Sequence, residues 1–486
     1  MKKTCLHTSV LGRGLAALVA LLPFAAAAAD QGARSLRAGA AAVDISPKEF
    51  PVNMPGLFTE NIAEGLHDPL HARALVLDDG TTTLAMVVVD NLHVGREQAD
   101  EIKALASKRC GIPTDKIMLS STHTHFGPPA NATKGRPGEV AYRKILMDGT
   151  VESIARAHAA LRPAAIGAAA QPLPDEVRCR RWFLKPGQMP LNPFGKMDQV
   201  KMNPPNSPDV LDRPAGPTDP DVTIISVQDA KSGKPLALFA NYSLHYVGDI
   251  PKAKVSASYF GEFARVMPSR IGAGEDFVAA MFNGTSGDIN NSPFLITRPP
   301  RQPFEQACIV AGKAADAARD ALAKIAGHSA DARLAMVQRE VVLRRRRPTP
   351  EQIEWAKGVL AIKDKAELEK LPRLADAYAR RVKALENVEE SVKVPLQAIR
   401  IGDFAVCTIP FEAFAVIGLD LKRRSPFPRT MVIELANGAY GYLPTPEQHK
   451  LGGYETWLGT CGVQEDASVI LVDNLLEMLA ELKKAA

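Results

Sequence analysis

Apolar residues along this chain follow two rhythms. Short aliphatic runs stopped by turn residues alternate with longer stretches in which apolar positions recur at helical spacing. Residues 72–77 read as a strand ended by the hairpin signal Asp78-Asp79-Gly80, and residues 84–89 as a continuous apolar run fit for a strand buried on both faces. A helical pattern over 96–108 and a further apolar run at 117–119 complete a strand–helix–strand crossover. Beyond it, the pattern predicts helices at 139–160, 258–268, 304–324 and 467–484, and a helical excursion over 350–389. Strands are expected at 222–227 and 236–240, joined across Lys231-Ser232-Gly233, then at 277–282, 397–409 and 431–435. Residues 172–220 are irregular and proline-rich, the composition of a functional loop or lid. Without an internal repeat or dividing linker, the pattern predicts an α/β chain with a mixed β-sheet core flanked by helices.

Polar residues that interrupt this pattern gather where strands end. In Ile117-Met-Leu-Ser-Ser-Thr-His-Thr-His-Phe-Gly-Pro128 the strand delivers His123 and His125 into a loop. Alternate residues on a strand share a face, so both imidazoles are expected to enter one cavity. Such a pair serves either as ligands to a divalent metal, zinc above all, or as a hydrogen-bonded structural pair. Asn241-Tyr-Ser-Leu-His245 puts a third histidine at a strand end. Asp90 closes the 84–89 run, and is read as a cap for the next helix in preference to a site residue. The turn Asn283-Gly-Thr-Ser-Gly-Asp-Ile-Asn290 is either a tight turn or a source of backbone amides for a ligand.

Composition and charge narrow the function. The 486 residues are 46% hydrophobic and 23% charged with a formal charge of +5, part of it in the first residues, which gives no case for nucleic-acid binding. Lys2-Lys3, an apolar run over 11–24 and small residues at 25–29 read as a signal peptide, residues 1–29. The run is short for a transmembrane segment and none comparable follows, so a chain from residue 30 to 486 is expected in the periplasm or outside the cell. Past the signal, Cys110, Cys179, Cys308, Cys407 and Cys461 are odd in number and lack metal-type spacing, which excludes a disulfide framework as the basis of the fold.

Taken together, Asp44-Ile-Ser-Pro47, Ser121-Thr-His-Thr-His-Phe-Gly-Pro128, Arg213-Pro-Ala-Gly-Pro-Thr-Asp-Pro220 and Tyr442-Leu-Pro-Thr-Pro-Glu447, with Tyr454-Glu455 following, resemble the catalytic domain of the neutral/alkaline non-lysosomal ceramidase-like family over nearly the whole mature chain. The resemblance implies a zinc site of His123, His245, Glu412 and Tyr442, with His125, Arg180 and Tyr454 in catalysis. It implies hydrolysis of an N-acyl amide bond in a small-molecule or lipid-like substrate; the mechanism expected for these residues is attack by metal-activated water, with His125 carrying the proton and Tyr454 and Arg180 donating to the developing oxyanion. It also implies a ceramidase-like fold, here without the immunoglobulin-like domain into which the ceramidases continue.

The sequence departs from the family's Gly-Asp-Val-Ser-Pro-Asn. It reads Gly287-Asp-Ile-Asn-Asn-Ser-Pro293, so the serine position holds Asn290, or Ser292 after a slip of two residues. Serine chemistry is thereby put in doubt, and Asn290 is expected to orient the substrate instead. The clustered Arg178, Arg180 and Arg181 suggest a fork for an anionic, soluble N-acyl substrate in preference to long-chain ceramide. The competing readings are a zinc esterase or lactonase, an amidohydrolase-type metalloenzyme on a (β/α)₈ barrel, and a non-catalytic secreted binding protein with a degenerate site.

Overall fold

The computed structural model describes residues 35–56, 60–131, 135–248, 251 and 253–484. The expected signal peptide lies outside them.

Eight strands form the larger sheet: β1 (Arg37–Asp44), β2 (His71–Asp78), β3 (Thr83–Val89), β4 (Ile117–Ser121), β5 (Arg162–Pro172), β6 (Asp221–Asp229), β7 (Pro235–Tyr242) and β8 (Val278–Asn283). Their order is β8-β7-β6-β5-β1-β2-β3-β4, mixed as expected, with β3–β4 and β7–β8 parallel and the other pairs antiparallel. A second sheet runs β9 (Leu334–Arg344), β10 (Ser391–Ile401), β11 (Phe404–Ile409) and β12 (Arg429–Glu434), with only β11–β12 parallel. These are two open sheets, so the (β/α)₈-barrel alternative is removed.

The side-chain alternation of the strands explains the layering. In β3, Leu84, Met86 and Val88 face the second sheet, where Ile399, Val406 and Ile433 meet them. The intervening Ala85, Val87 and Val89 pack under helices α1 (Arg96–Cys110) and α2 (Pro137–Ala159). In β7, Phe239 points between the sheets, while Leu238 and Ala240 pack under α3 (Ser258–Ile271) and α4 (Glu305–Leu322). The outer face of the second sheet is covered by the helices Ala415–Arg424 and Ala467–Lys484. The result is four layers, helix, sheet, sheet and helix, which is why the 84–89 run is apolar throughout.

One junction sets the position of the site. β1 pairs with β5 through only two residue pairs, Arg37 with Pro163 and Ala38 with Arg162. The sheet bends there, and its edge strand β8 packs against β2, β3 and β4. The carboxyl ends of β4 and β7, far apart in strand order, are thereby brought together.

Some local expectations need correction. Asp90 caps nothing: its carboxylate accepts from Arg73 at 2.7 Å and from the His71 amide at 2.8 Å in a buried ion pair, and α1 starts at Gly95 without a side-chain cap. Residues 172–220 are not wholly irregular, since Arg181–Leu184 is the middle strand of a small antiparallel sheet with Val200–Met202 and Leu211–Pro214. The excursion over 350–389 is helical as expected, in the segments Pro350–Ala361, Lys365–Glu369 and Ala375–Leu385. Among the described residues no helix is long and apolar enough to cross a membrane.

All of the described cysteines are free, with Cys308 exposed, Cys110 partly covered, and Cys179, Cys407 and Cys461 buried. Thiol titration of the native protein should therefore label Cys308 first and Cys110 more slowly, and should reach the buried three only on unfolding. A reductant should leave the melting temperature unchanged.

Candidate active site

His123 and His125 follow β4, and His245 follows β7. His123 adopts a left-handed backbone, φ 67°, a conformation costly for any residue but glycine and one that functional sites retain. His125 passes so close to Gly56 that a side chain at position 56 would lie 2.6 Å from its Cβ. The Nε2 atoms of His123 and His245 approach to 3.0 Å, and those of His125 and His123 to 3.3 Å. Glu412, beyond β11, brings Oε2 to 3.4 Å from His123 Nε2 and 3.6 Å from His245 Nε2.

The opposite ring nitrogens establish what these contacts mean. His123 Nδ1 lies 2.7 Å from the Leu92 carbonyl oxygen, and His245 Nδ1 lies 3.1 Å from that of Ser286. A carbonyl oxygen only accepts, so both Nδ1 atoms carry hydrogen, and a neutral ring in either place presents its lone pair at Nε2. Burial, the neighbouring His123 and Arg180 push the pKa of both His125 and His245 well below the usual imidazole value, which keeps them neutral. Glu412 Oε2 is buried and accepts no hydrogen bond of good geometry. Burial would raise the Glu412 pKa, but His123, Tyr442 and Arg180 outweigh it and hold the carboxyl below its ordinary value. Acceptors thus converge on one point. His123, His125 and His245 form a cluster whose nitrogens could hold a divalent cation of zinc's type, with the Glu412 oxygen beside it.

Tyr442 stands beside Glu412 in a short parallel pairing of Glu412–Ala413 with Tyr442–Leu443. Burial, with Glu412 adding to it and Arg180 opposing, raises its pKa well above the ordinary phenol value, so the residue meets the centre as a phenol. The Arg180 guanidinium lies over the Tyr442 ring, 5.3 Å from its centroid, and Tyr454 packs edge-on against that ring at 5.6 Å.

The expected arginine fork does not form. Glu455, fully buried, takes Arg180 Nε at 2.9 Å and Arg181 Nη1 at 2.7 Å, so these cations hold the tyrosine segment in place. Arg178 lines a different cleft with Glu176 and Lys313. Arg180 nevertheless keeps Nη2 buried, with its guanidinium beside Tyr442. Asn290 is already engaged: it donates to Asn203 and accepts from the Ser292 amide at 2.9 Å. Ser292 is half-buried on the turn beyond it.

Two participants were missed in the sequence. Glu434 ends β12 wholly buried and accepts from Ser286 Oγ at 2.6 Å, the Ser286 amide at 3.1 Å, Asn283 Nδ2 at 3.0 Å and the Ala413 amide at 2.9 Å. It therefore fixes both the carbonyl that orients His245 and the backbone next to Glu412. Gly287 closes the same loop, where a Cβ would come within 2.4 Å of the Glu412 carbonyl oxygen. His93 is exposed beside the same group, and desolvation with His123 nearby lowers its pKa to about 4, so it is neutral there. For Glu434 the available signal was a polar side chain closing an apolar strand run; His93 lies beyond Asp90 and Asn91, past the strand end, and carried no such signal.

This geometry defines an α/β/β/α protein with a candidate metal centre at converging strand ends. Residues 36–297 match the family model "Neutral/alkaline non-lysosomal ceramidase, N-terminal", and the chain belongs to that family. It is 26% identical over 279 residues to neutral ceramidase A of Dictyostelium discoideum, a match covering 53% of this chain and 36% of that relative. The chain thus spans little more than a third of that curated relative's length. In fold it is similar to the neutral ceramidase of Pseudomonas aeruginosa, with a TM-score of 0.69, 18% identity, and coverage of 93% of this chain and 75% of that one. The solved structure titled "Ceramidase complexed with C2" matches with the same figures.

Because Glu434 accepts from N–H groups on both of its oxygens, glutamine cannot replace it without setting an amide NH₂ against a donor. Glu434→Gln should weaken metal affinity about 10- to 100-fold in a chelator competition assay while the protein remains folded. Unchanged affinity would remove Glu434 from the account of the site.

Proposed function

We propose that the protein is an exported, zinc-dependent hydrolase that cleaves an N-acyl amide bond, with His123, His245 and Glu412 holding the metal and Tyr442 beside them. The observation that carries this reading is the meeting of His123 and His245 at 3.0 Å between their Nε2 atoms, with a Glu412 carboxylate oxygen 3.4 and 3.6 Å from the two. A zinc ion bound there supplies a Lewis acid for the scissile carbonyl and lowers the pKa of water towards neutrality.

The chain's own groups supply the rest. His125 presents Nε2 3.3 Å from His123 Nε2, and burial, with His123 and Arg180 nearby, holds its pKa well below the usual imidazole value. The ring therefore starts neutral beside the centre and is the group placed to take a proton as general base. Arg180 Nη2 and the Tyr454 hydroxyl are the donors for negative charge developing on the carbonyl oxygen. Asn290 acts through Asn203, which it orients towards the neighbouring cavity. No step requires Ser292.

His123→Ala and His245→Ala should each lose bound metal and amidase activity together, whereas the wild-type protein should carry about one equivalent of zinc. Full metal retention in the double variant would refute the assignment. Ser292→Ala should keep most of its activity, and His125→Ala should lose on the order of 10² to 10⁴ in rate. An acyl group trapped covalently on Ser292 would instead restore serine chemistry.

A further inference from the structure

Beside the proposed centre is a cavity of about 800 Å³. Tyr454 forms part of its inner wall, together with Asn203, the residue to which Asn290 is hydrogen-bonded. Its other walls come from the loop around Leu191, from Val200–Met202 and from residues 370–374 of the helical excursion. Leu191, Met202, Leu371 and Leu374 make much of this lining apolar.

Two cations interrupt it. Lys201, half-buried on the strand Val200–Met202, and Arg373, exposed between the excursion's helices, both line the cavity, and neither side chain makes a hydrogen bond or ion pair among the described residues. Burial and then the proximity of Arg373 lower the Lys201 pKa, a sign that the two charges lie within each other's field.

The other charges nearby are already engaged. Lys370 pairs with Glu367 at 2.6 Å. The Asp198 carboxylate accepts from Trp457 Nε1 at 2.8 Å and Asn192 Nδ2 at 3.1 Å. Glu455, the acid that does act on Lys201, is bound to Arg180 and Arg181. Holding two like charges together costs free energy, and an anion seated between them would relieve that cost.

We propose that this cavity is the substrate's recognition subsite and that it takes a carboxylate carried by the N-acyl compound, with Lys201 and Arg373 as counter-ions and the adjoining hydrocarbon against Leu371 and Leu374. The inference rests on the hydrolase reading, because Tyr454 links the cavity to the reacting centre. It assigns to these two cations the anion recognition that the sequence had suggested for the arginine cluster.

The test compares hydrolysis of an N-hexanoyl amino acid with that of its neutral carboxamide, alongside calorimetric binding of the same acid to the zinc-loaded protein. The wild-type KM should be on the order of tenfold lower for the acid than for the amide. Lys201→Gln and Arg373→Gln should each raise the KM for the acid by a similar factor with kcat kept, should leave the amide unaffected, and should weaken calorimetric binding in parallel, while Arg373→Lys should recover part of the loss. Arg373 is exposed, so its variants are informative even if Lys201→Gln disturbs folding. Equal KM values for acid and amide, unmoved in the variants, would overturn the subsite and leave the hydrolase reading standing. Binding of the acid that is lost in the variants, without turnover of any N-acyl compound, would keep the subsite and remove the hydrolase reading. A higher kcat/KM for detergent-dispersed long-chain ceramide than for the acid would overturn the subsite as the determinant of specificity.

Discussion

With both rings neutral, the Nε2 atoms of His123 and His245, 3.0 Å apart, repel one another unless something positive lies between them. That constraint organises the molecule. His123 and His245 cannot relieve it by exchanging tautomers, because the Leu92 and Ser286 carbonyl oxygens hold the hydrogen of each ring on the far side. Nor does Glu412 relieve it, since its nearest oxygen adds a further acceptor and a negative charge. Such an arrangement survives in a folded protein when the surrounding structure over-determines it and a bound cation compensates for it.

The fold provides that over-determination. The bend where β1 meets β5 carries the end of β4 to the end of β7. The facing sheet adds the carboxyl ends of β11 and β12, with Glu412 on one and Glu434 on the other. Glu434 is the link between layers, since its hydrogen bonds reach Asn283 at the end of β8 and Ser286 past it, as well as Ala413 beyond β11. Burial raises the Glu434 pKa well above the ordinary carboxyl value, yet a carboxyl group held by four hydrogen bonds in a dry environment is rigid, and rigidity behind the ligands is what preserves their geometry. The paired cations Arg180 and Arg181 do the same for the tyrosine segment through Glu455.

Much of the strand framework was legible because it is local. Alternation and turn residues located the runs at 72–77, 84–89, 222–227 and 236–240 close to where they lie. The histidines were legible as strand-end residues, and the family resemblance tied Glu412 and Tyr442 to them. What the sequence could not show is set by contacts between distant segments. Asp90 looked like a cap because its partner, Arg73, lies on another strand. Arg178, Arg180 and Arg181 looked like a single fork because proximity in sequence hides which guanidinium is neutralised, and Glu455 comes from 274 residues beyond Arg181. Lys201 and Arg373 showed no connection until the helical excursion was placed over the cavity.

The central claim is that imidazole nitrogens and a carboxylate oxygen hold a zinc ion at the meeting of the strand ends. X-ray absorption at the zinc edge of the purified protein tests it most directly. The account predicts nitrogen and oxygen scatterers at about 2.0–2.2 Å with the outer-shell pattern of more than one imidazole, and loss of that pattern in His245→Ala. A first shell dominated by sulfur at about 2.3 Å, or zinc without imidazole scattering, would contradict it.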